Sequence, residues 1–300
     1  MKIHHTHHFI TAVCCLAFSF SSVAQKVNEP TKIDSNWIKN YEPFRIAGNL
    51  YYVGTYDLAS YLITTKKGNI LINTGLASSA AQIKNNIGKL GFKFSDTKIL
   101  LTTQAHYDHM GAMAAIKKQT GAKFYINKGD AATAASGGAT DYEMGKYGAT
   151  YEPVEADKIL KDGEIISLGE MKLTLLNHPG HTSGSCSYLF KVNDSSRSYT
   201  VLIANMPTII SNRRFEEITT YPTISEDFAN TLKAMKKVNF DIWAASHASQ
   251  FSLHEKHQPG DVYDPSVFTD KQSYLEYLNE LQKDYDDKIK KDVATGDEKK

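Results

Sequence analysis

The chain has 300 residues, enough for one large domain or two small ones. It is 41% hydrophobic, which suits a packed core and excludes wholesale disorder. A formal charge of +1 leaves no basic footprint of the kind that nucleic acid or anionic lipid selects.

In chain order, "MKIHHTHH" is a polar, partly cationic start and "FITAVCCLAFSF" an apolar run too short to span a bilayer comfortably. "SSVAQ" then places Ser22 and Ala24 at the minus-three and minus-one positions of a cut before Gln25. Residues 1–24 are therefore expected to be a secretory signal peptide, with residues 25–300 as the functional domain. Cys14 and Cys15 raise a lipoprotein alternative, but neither has a leucine three positions before it. Loss of this segment removes Lys2 and no acid, so the exported chain would be neutral. It also leaves Cys186 as the single cysteine, so no intrachain disulfide can form in an oxidising compartment. Stability must come from core packing, or from metal.

"FRIAGNLYYVG" and "SYLITTKKGNILINTG" are rich in β-branched and aromatic residues, and turn chemistry at Lys66 to Asn69 predicts a hairpin. "ASSAAQIKNNIGKLG" has helical apolar spacing and closes on a glycine suited to a C-cap. "TKILLTT" predicts a short buried strand, "MGAMAAIKKQTG" a helix and "AKFYIN" another strand. That order is the signature of an α/β layered unit. Residues 128–157 are small, glycine-rich and tyrosine-studded, which predicts a helix and then a surface excursion. Strands resume at "KLTLLNHPG", "CSYLFKVN" and "SYTVLIANM". "SEDFANTLKAMKKVN" predicts a helix with an acidic first turn, and "FDIWAASHA" a strand leading to a histidine. "TDKQSYLEYLNELQKDYDDKIKKDV" predicts a final amphipathic helix before a solvated tail, "ATGDEKK". No Pro- or Ser-rich linker interrupts the chain, so a single domain is expected.

Beyond the signal segment the histidines are His106, His109, His178, His181, His247, His254 and His257. Candidates fall in three places, each just past a predicted strand: "QAHYDH" with Gln104, His106, Asp108 and His109; "HPGHTSGS" with His181; and "AASHAS" with His247. Loops at the carboxyl ends of strands converge on one edge of a sheet, where α/β sites form. Four imidazoles and a carboxylate suit zinc, which takes nitrogen and oxygen ligands. Taken singly, His181 or His247 reads as an ordinary hydrogen-bonded loop residue; the cluster at 104–109 does not. His178, beside a proline, reads as structural, the "HEKHQPG" pair as a solvated loop, and Cys186 as a packed strand residue.

The cluster, followed by "GHTSGS" and then "SHA", resembles the metallo-β-lactamase superfamily over nearly the whole exported chain. In detail it is similar to subclass B3, above all to the GOB-type branch, in which glutamine replaces the first histidine. The resemblance implies an αββα sandwich and a secreted, periplasmic, zinc-dependent β-lactamase that confers antibiotic resistance. Its zinc-bound hydroxide would hydrolyse penicillins, cephalosporins and carbapenems. It also implies that Gln104, His106 and His181 hold one zinc weakly, while Asp108, His109 and His247 hold the other tightly. Asp108 would be catalytic as well, and Thr208 would contact the substrate carboxylate. The expected partner is a small-molecule β-lactam, with no nucleic acid, no membrane span in the exported chain, and a monomer as the working unit.

Two departures qualify the resemblance. The amide of Gln104 is a poorer zinc ligand than imidazole, and Met206 stands where many superfamily hydrolases carry a metal-bridging aspartate. Two competing readings stay open: another hydrolase of this fold acting on lactones or thioesters, and a non-catalytic periplasmic zinc-binding protein. The tyrosines between Tyr142 and Tyr151 suit either lining the cleft or packing the excursion.

Overall fold

A computed structural model describes Met1, residues 26–195 and residues 197–297. The expected signal segment lies outside the described residues, apart from Met1.

Continuous runs of branched and aromatic residues make the strands, and polar turns separate them. A helical turn, α1 (Ser35–Ile38), precedes a meander of β1 (Phe44–Ala47), β2 (Leu50–Tyr52), β3 (Tyr61–Thr65) and β4 (Gly68–Ile72). The β3–β4 turn falls at Lys66 and Lys67, as its chemistry predicts. Helix α2 (Ser79–Lys89) crosses to β5 (Thr97–Leu101) and ends at Gly91, whose φ of +84° supplies the left-handed residue that a helix stop favours. After β5 a separate turn, α3 (Tyr107–Met110), precedes the expected helix, which runs as α4 (Met113–Thr120). The break falls at Gly111, where a Cβ would lie 2.4 Å from the backbone nitrogen of Ala77. Strands β6 (Lys123–Asn127) and β7 (Lys158–Leu160) complete a seven-stranded sheet in chain order, parallel from β4 onward. Between them lies α5 (Ala131–Ala135) and the excursion.

The second sheet holds β8 (Ile165–Leu168), β9 (Met171–Asn177), β10 (Cys186–Asn193), β11 (Ser198–Ala204) and β12 (Ile242–Ala245) in the order β12-β11-β10-β9-β8. It is antiparallel except for the β11–β12 pair, which is joined through α6 (Ile224–Met235). A short α7 (Leu253–Lys256) and a long α8 (Lys271–Asp297) follow.

Period-two alternation sets the layers. Ile70, Ile72, Ile99 and Leu101 face the core between the sheets, joined there by Tyr188, Phe190 and Val192 of β10. The intervening Leu71 and Leu100 turn outward onto Ile83, Ile87, Met113 and Ile116 of α2 and α4. On the far side, Leu232 and Met235 of α6 and Tyr274 and Leu278 of α8 cover the second sheet around the buried Trp243. Trp243 Nε1 donates to the Asp270 carbonyl at 2.8 Å, so its burial leaves no donor unmet. The order helix, sheet, sheet, helix is the expected αββα sandwich in one domain.

Two local expectations are corrected. The first residues of "ATGDEKK" continue α8 as far as Asp297 rather than forming a tail. "HEKHQPG" is no solvated loop: His254 lies in α7 and stacks on Tyr56 at 3.6 Å, while His257 stacks on Phe44 at 3.6 Å. Each ring covers apolar surface while a nitrogen reaches a polar partner, a use of histidine that spacing does not reveal.

Candidate metal centre

The carboxyl ends of β5, β9, β11 and β12 lie at one edge, and the loops leaving them carry the predicted residues. Side chains and backbone groups tie these loops together. Asn73, after β4, sits at φ +62°, a conformation asparagine tolerates better than most residues. Its Oδ1 accepts from the backbone nitrogen and the hydroxyl of Thr103, at 2.9 and 3.1 Å. Thr103 Oγ1 is 2.9 Å from Ser246 Oγ, which joins the β5 loop to the β12 loop. Asp130 joins the β5 loop to the β9 loop by accepting from Ala105 N, Thr182 Oγ1 and Gly184 N, each at 2.8 Å. Gly184 permits this approach, because a Cβ there would lie 2.2 Å from the Asp130 nitrogen. Burial pushes the Asp130 carboxyl up to about 6, against the pull of its Thr182 hydrogen bond.

His106 caps α3, and Asp108 and His109 occupy its single turn, all three buried. Asp108 Oδ2 lies 3.2 Å from His109 Nε2 and 3.3 Å from His247 Nε2. One ligand atom from each of the three falls within 4.8 Å of the others. Tetrahedral zinc with bonds of about 2.0–2.1 Å places its ligand atoms roughly 3.3–3.5 Å apart. Asp108, His109 and His247 thus form a metal-ligand group.

The outer nitrogens decide what the inner ones offer. His247 Nδ1 faces Asp57 Oδ2 at 3.1 Å, and a carboxylate there fixes the Nδ1 proton. The Nε2 lone pair is then directed at another carboxylate, Asp108, an arrangement that requires a cation between them. Burial opposes charge on His247, yet the hydrogen bonds to Asp108 and Asp57 raise it to about 9. Burial also works against ionised Asp108, but His109 and His247 hold it well below the usual carboxylate range.

The other position is built in the same way. His181 Nδ1 donates to the Thr208 carbonyl at 2.8 Å, and His106 Nε2 faces Asp141 Oδ2 at 3.2 Å. The inner nitrogens, His106 Nδ1 and His181 Nε2, are 3.2 Å apart. With both outer protons fixed, two lone pairs meet unless a cation intervenes. Burial lowers His181 to about 3, whereas burial on His106 is outweighed by Asp141, which raises it. The Oε1 atom of Gln104 is buried and has no hydrogen-bond partner among the described residues, which suits a neutral oxygen awaiting a ligand role. Both donor sets fit zinc.

The remaining candidates fall outside these groups. His178 Nδ1 is 2.7 Å from Ser187 Oγ in a buried, structural role, and Cys186 is buried in β10. Met206 is 1% exposed and belongs to the core. Thr208 sits beside the centre, its hydroxyl 3.0 Å from His181 Nδ1. Tyr151 packs the excursion onto the body, donating to the carbonyl of Ala105 at 2.9 Å. Asp57, Asp130 and Asp141 escape the sequence reading because each is a lone acid in a loop; only the fold gives it a partner.

An αββα sandwich with a metal-ligand group of Asp108, His109 and His247 at one edge defines a class of metal-dependent hydrolases. Residues 55–194 match the metallo-beta-lactamase superfamily model. The metallo-beta-lactamase GOB-18 from Elizabethkingia meningoseptica is 61% identical, over 89% of this chain and 99% of that one, with a TM-score of 0.89. The class B3 di-zinc metallo-beta-lactamase LRA-12 from an Alaskan soil metagenome is also 61% identical, over 87% and 99%, with a TM-score of 0.86. FEZ-1 from Legionella gormanii is 38% identical over 85% and 98%, with a TM-score of 0.79. A hydroxyacylglutathione hydrolase from Rhodopseudomonas palustris is 26% identical over 114 residues, 38% of this chain and only 36% of that protein. The chain belongs to the metallo-β-lactamase superfamily, subclass B3, and is a hydrolase of that type.

Proposed function

We propose that this protein hydrolyses the amide bond of β-lactams, with penicillins, cephalosporins and carbapenems as the substrate class, and so confers antibiotic resistance. The observation that carries the reading is the Asp108, His109 and His247 group, in a chain 61% identical to two metallo-β-lactamases. These residues would hold the tighter zinc. Gln104, His106 and His181 would hold a weaker one, because an amide oxygen replaces an imidazole. Zinc supplies a water acidic enough to act as a nucleophile at neutral pH and stabilises developing negative charge.

The chain's own groups set that chemistry up. Asp57 and the Thr208 carbonyl hold outer imidazole protons, so the lone pairs of His247 and His181 face inward. Asp108 supplies a carboxylate ligand and orients the attacking water. Buried Met206 offers no carboxylate to the centre, so Asp108, His109 and His247 would be the side chains that hold the tighter zinc. The half-buried Thr208 hydroxyl would donate to the substrate carboxylate.

This reading takes the monomer as the working unit. No helix among the described residues is long and apolar enough to cross a membrane. With residues 1–24 read as a signal peptide, the working compartment is the periplasm.

Purified, metal-quantified protein should hydrolyse a carbapenem and a cephalosporin, and a chelator should stop it. Turnover of a lactone or thioester panel with no β-lactam turnover would replace this reading with another hydrolase of the fold. Zinc content without any turnover would leave a binding protein.

A further inference from the structure

Asp141 belongs to neither ligand group, yet its side chain is 3% exposed and divided between two tasks. Its Oδ1 accepts from the backbone nitrogens of Glu143 and Met144, at 2.9 and 2.7 Å, and so folds the excursion. Its Oδ2 faces His106 Nε2 at 3.2 Å. The excursion is also pinned independently: Glu143 pairs with Lys146 and with Arg213, the latter at 3.3 Å on the loop that follows β11. The loop therefore has anchors that do not involve Oδ2, and the Oδ2 contact serves the histidine.

We propose that Asp141 is a positioning residue for the first metal position: it accepts the Nε2 proton of His106 and thereby turns the Nδ1 lone pair towards His181. The proposal rests on the reading of Gln104, His106 and His181 as a metal position. It gives that position a charged outer partner where its third ligand, Gln104, is weak. A carboxylate behind a ligating imidazole fixes the tautomer and raises its basicity, and loss of such a partner typically costs 10–100-fold in metal affinity.

The chemistry of substitution separates this role from loop anchoring. Asp141→Asn keeps one oxygen, which the nitrogens of Glu143 and Met144 claim, and turns its amide N–H groups towards His106 Nε2. Nε2 must then accept, so the ring proton moves to Nδ1 and points into the metal position. Asp141→Ala uncaps the loop but leaves the tautomer free. A positioning role therefore makes asparagine the more damaging change at this metal position; a loop clamp makes alanine the more damaging.

The test is equilibrium dialysis of the full chain against stepped free zinc, counting zinc per chain for the unaltered protein and both variants. Asp141→Asn should leave the first equivalent unchanged and move the second to roughly 10–100-fold higher free zinc. Asp141→Ala should move it less. An unchanged second equivalent in Asp141→Asn overturns the proposal alone, as does a larger loss in Asp141→Ala or an equal loss of both equivalents. Absence of any second equivalent in the unaltered chain overturns the two-position reading, and this proposal with it.

Discussion

Asp57 Oδ2 stands 3.1 Å from His247 Nδ1 and also accepts the Trp37 indole N–H at 3.0 Å. An acid between two strands of the first sheet thus aims a ligand supplied by the last strand of the second. Asp57 Oδ1 further accepts from Ser249 N at 2.9 Å, so the carboxylate is fixed from both sides. Burial notwithstanding, these contacts hold Asp57 well below the usual carboxylate range. Asp57→Asn should weaken zinc at Asp108, His109 and His247 about 10–100-fold, read by competition with a chromophoric chelator. Affinity within twofold of the unaltered chain would mean that the contact does not orient the ligand.

Gln104→His replaces a buried amide oxygen, without a hydrogen-bond partner among the described residues, with imidazole. The second zinc equivalent should then bind at lower free zinc, while the first stays where it was. A shift in the first equivalent, or in neither, would contradict the division of ligands between the two positions.

Asp130 is a structural hinge-pin between the loops of His106 and His181. Asp130→Ala leaves the donors of Ala105, Thr182 and Gly184 buried without their acceptor, at roughly 1–3 kcal/mol each. Chemical denaturation should register a loss of more than about 2 kcal/mol. A loss under about 1 kcal/mol would show that the loops hold their places by other means.

His178 supplies a pH dependence away from the metal ligands. Burial pushes it down from 6.5 to about 4, and Ser187 Oγ, which accepts from Asn205 N, is left to donate to its Nδ1. As pH falls, the unfolded chain takes up this proton near 6.5 and the folded chain only near 4. The stabilisation is complete above pH 6.5 and is lost as pH falls through 4. At ~1.4 kcal/mol per pH unit, the stability difference between the unaltered chain and His178→Gln should shrink by about 3 kcal/mol over that interval. Denaturation at several pH values measures it, and a constant difference would contradict the assignment.

The Asp108, His109 and His247 group was legible in sequence because its residues follow strands whose apolar runs are plain to read, and strand ends converge. "TKILLTT" leads to His106, Asp108 and His109, and "FDIWAASHA" to His247. Their outer partners were not legible. Asp57 is 190 residues from His247, and Asp141 is 35 from His106, with no periodicity to mark either. The turn of α3 was hidden for a similar reason: the break after it falls at Gly111, whose close approach to Ala77 only the folded chain makes. His254 and His257 were read as a solvated loop because spacing gives no sign that their rings stack on Tyr56 and Phe44.

The central claim is that zinc on Asp108, His109 and His247 alone carries β-lactam hydrolysis. Carbapenem turnover followed as zinc is added to the metal-free chain tests it directly. Turnover should rise to its full value at about one zinc per chain, and Asp108→Ala should show none at any zinc level. Activity that appears only with a second zinc, or that survives in Asp108→Ala, would contradict the claim.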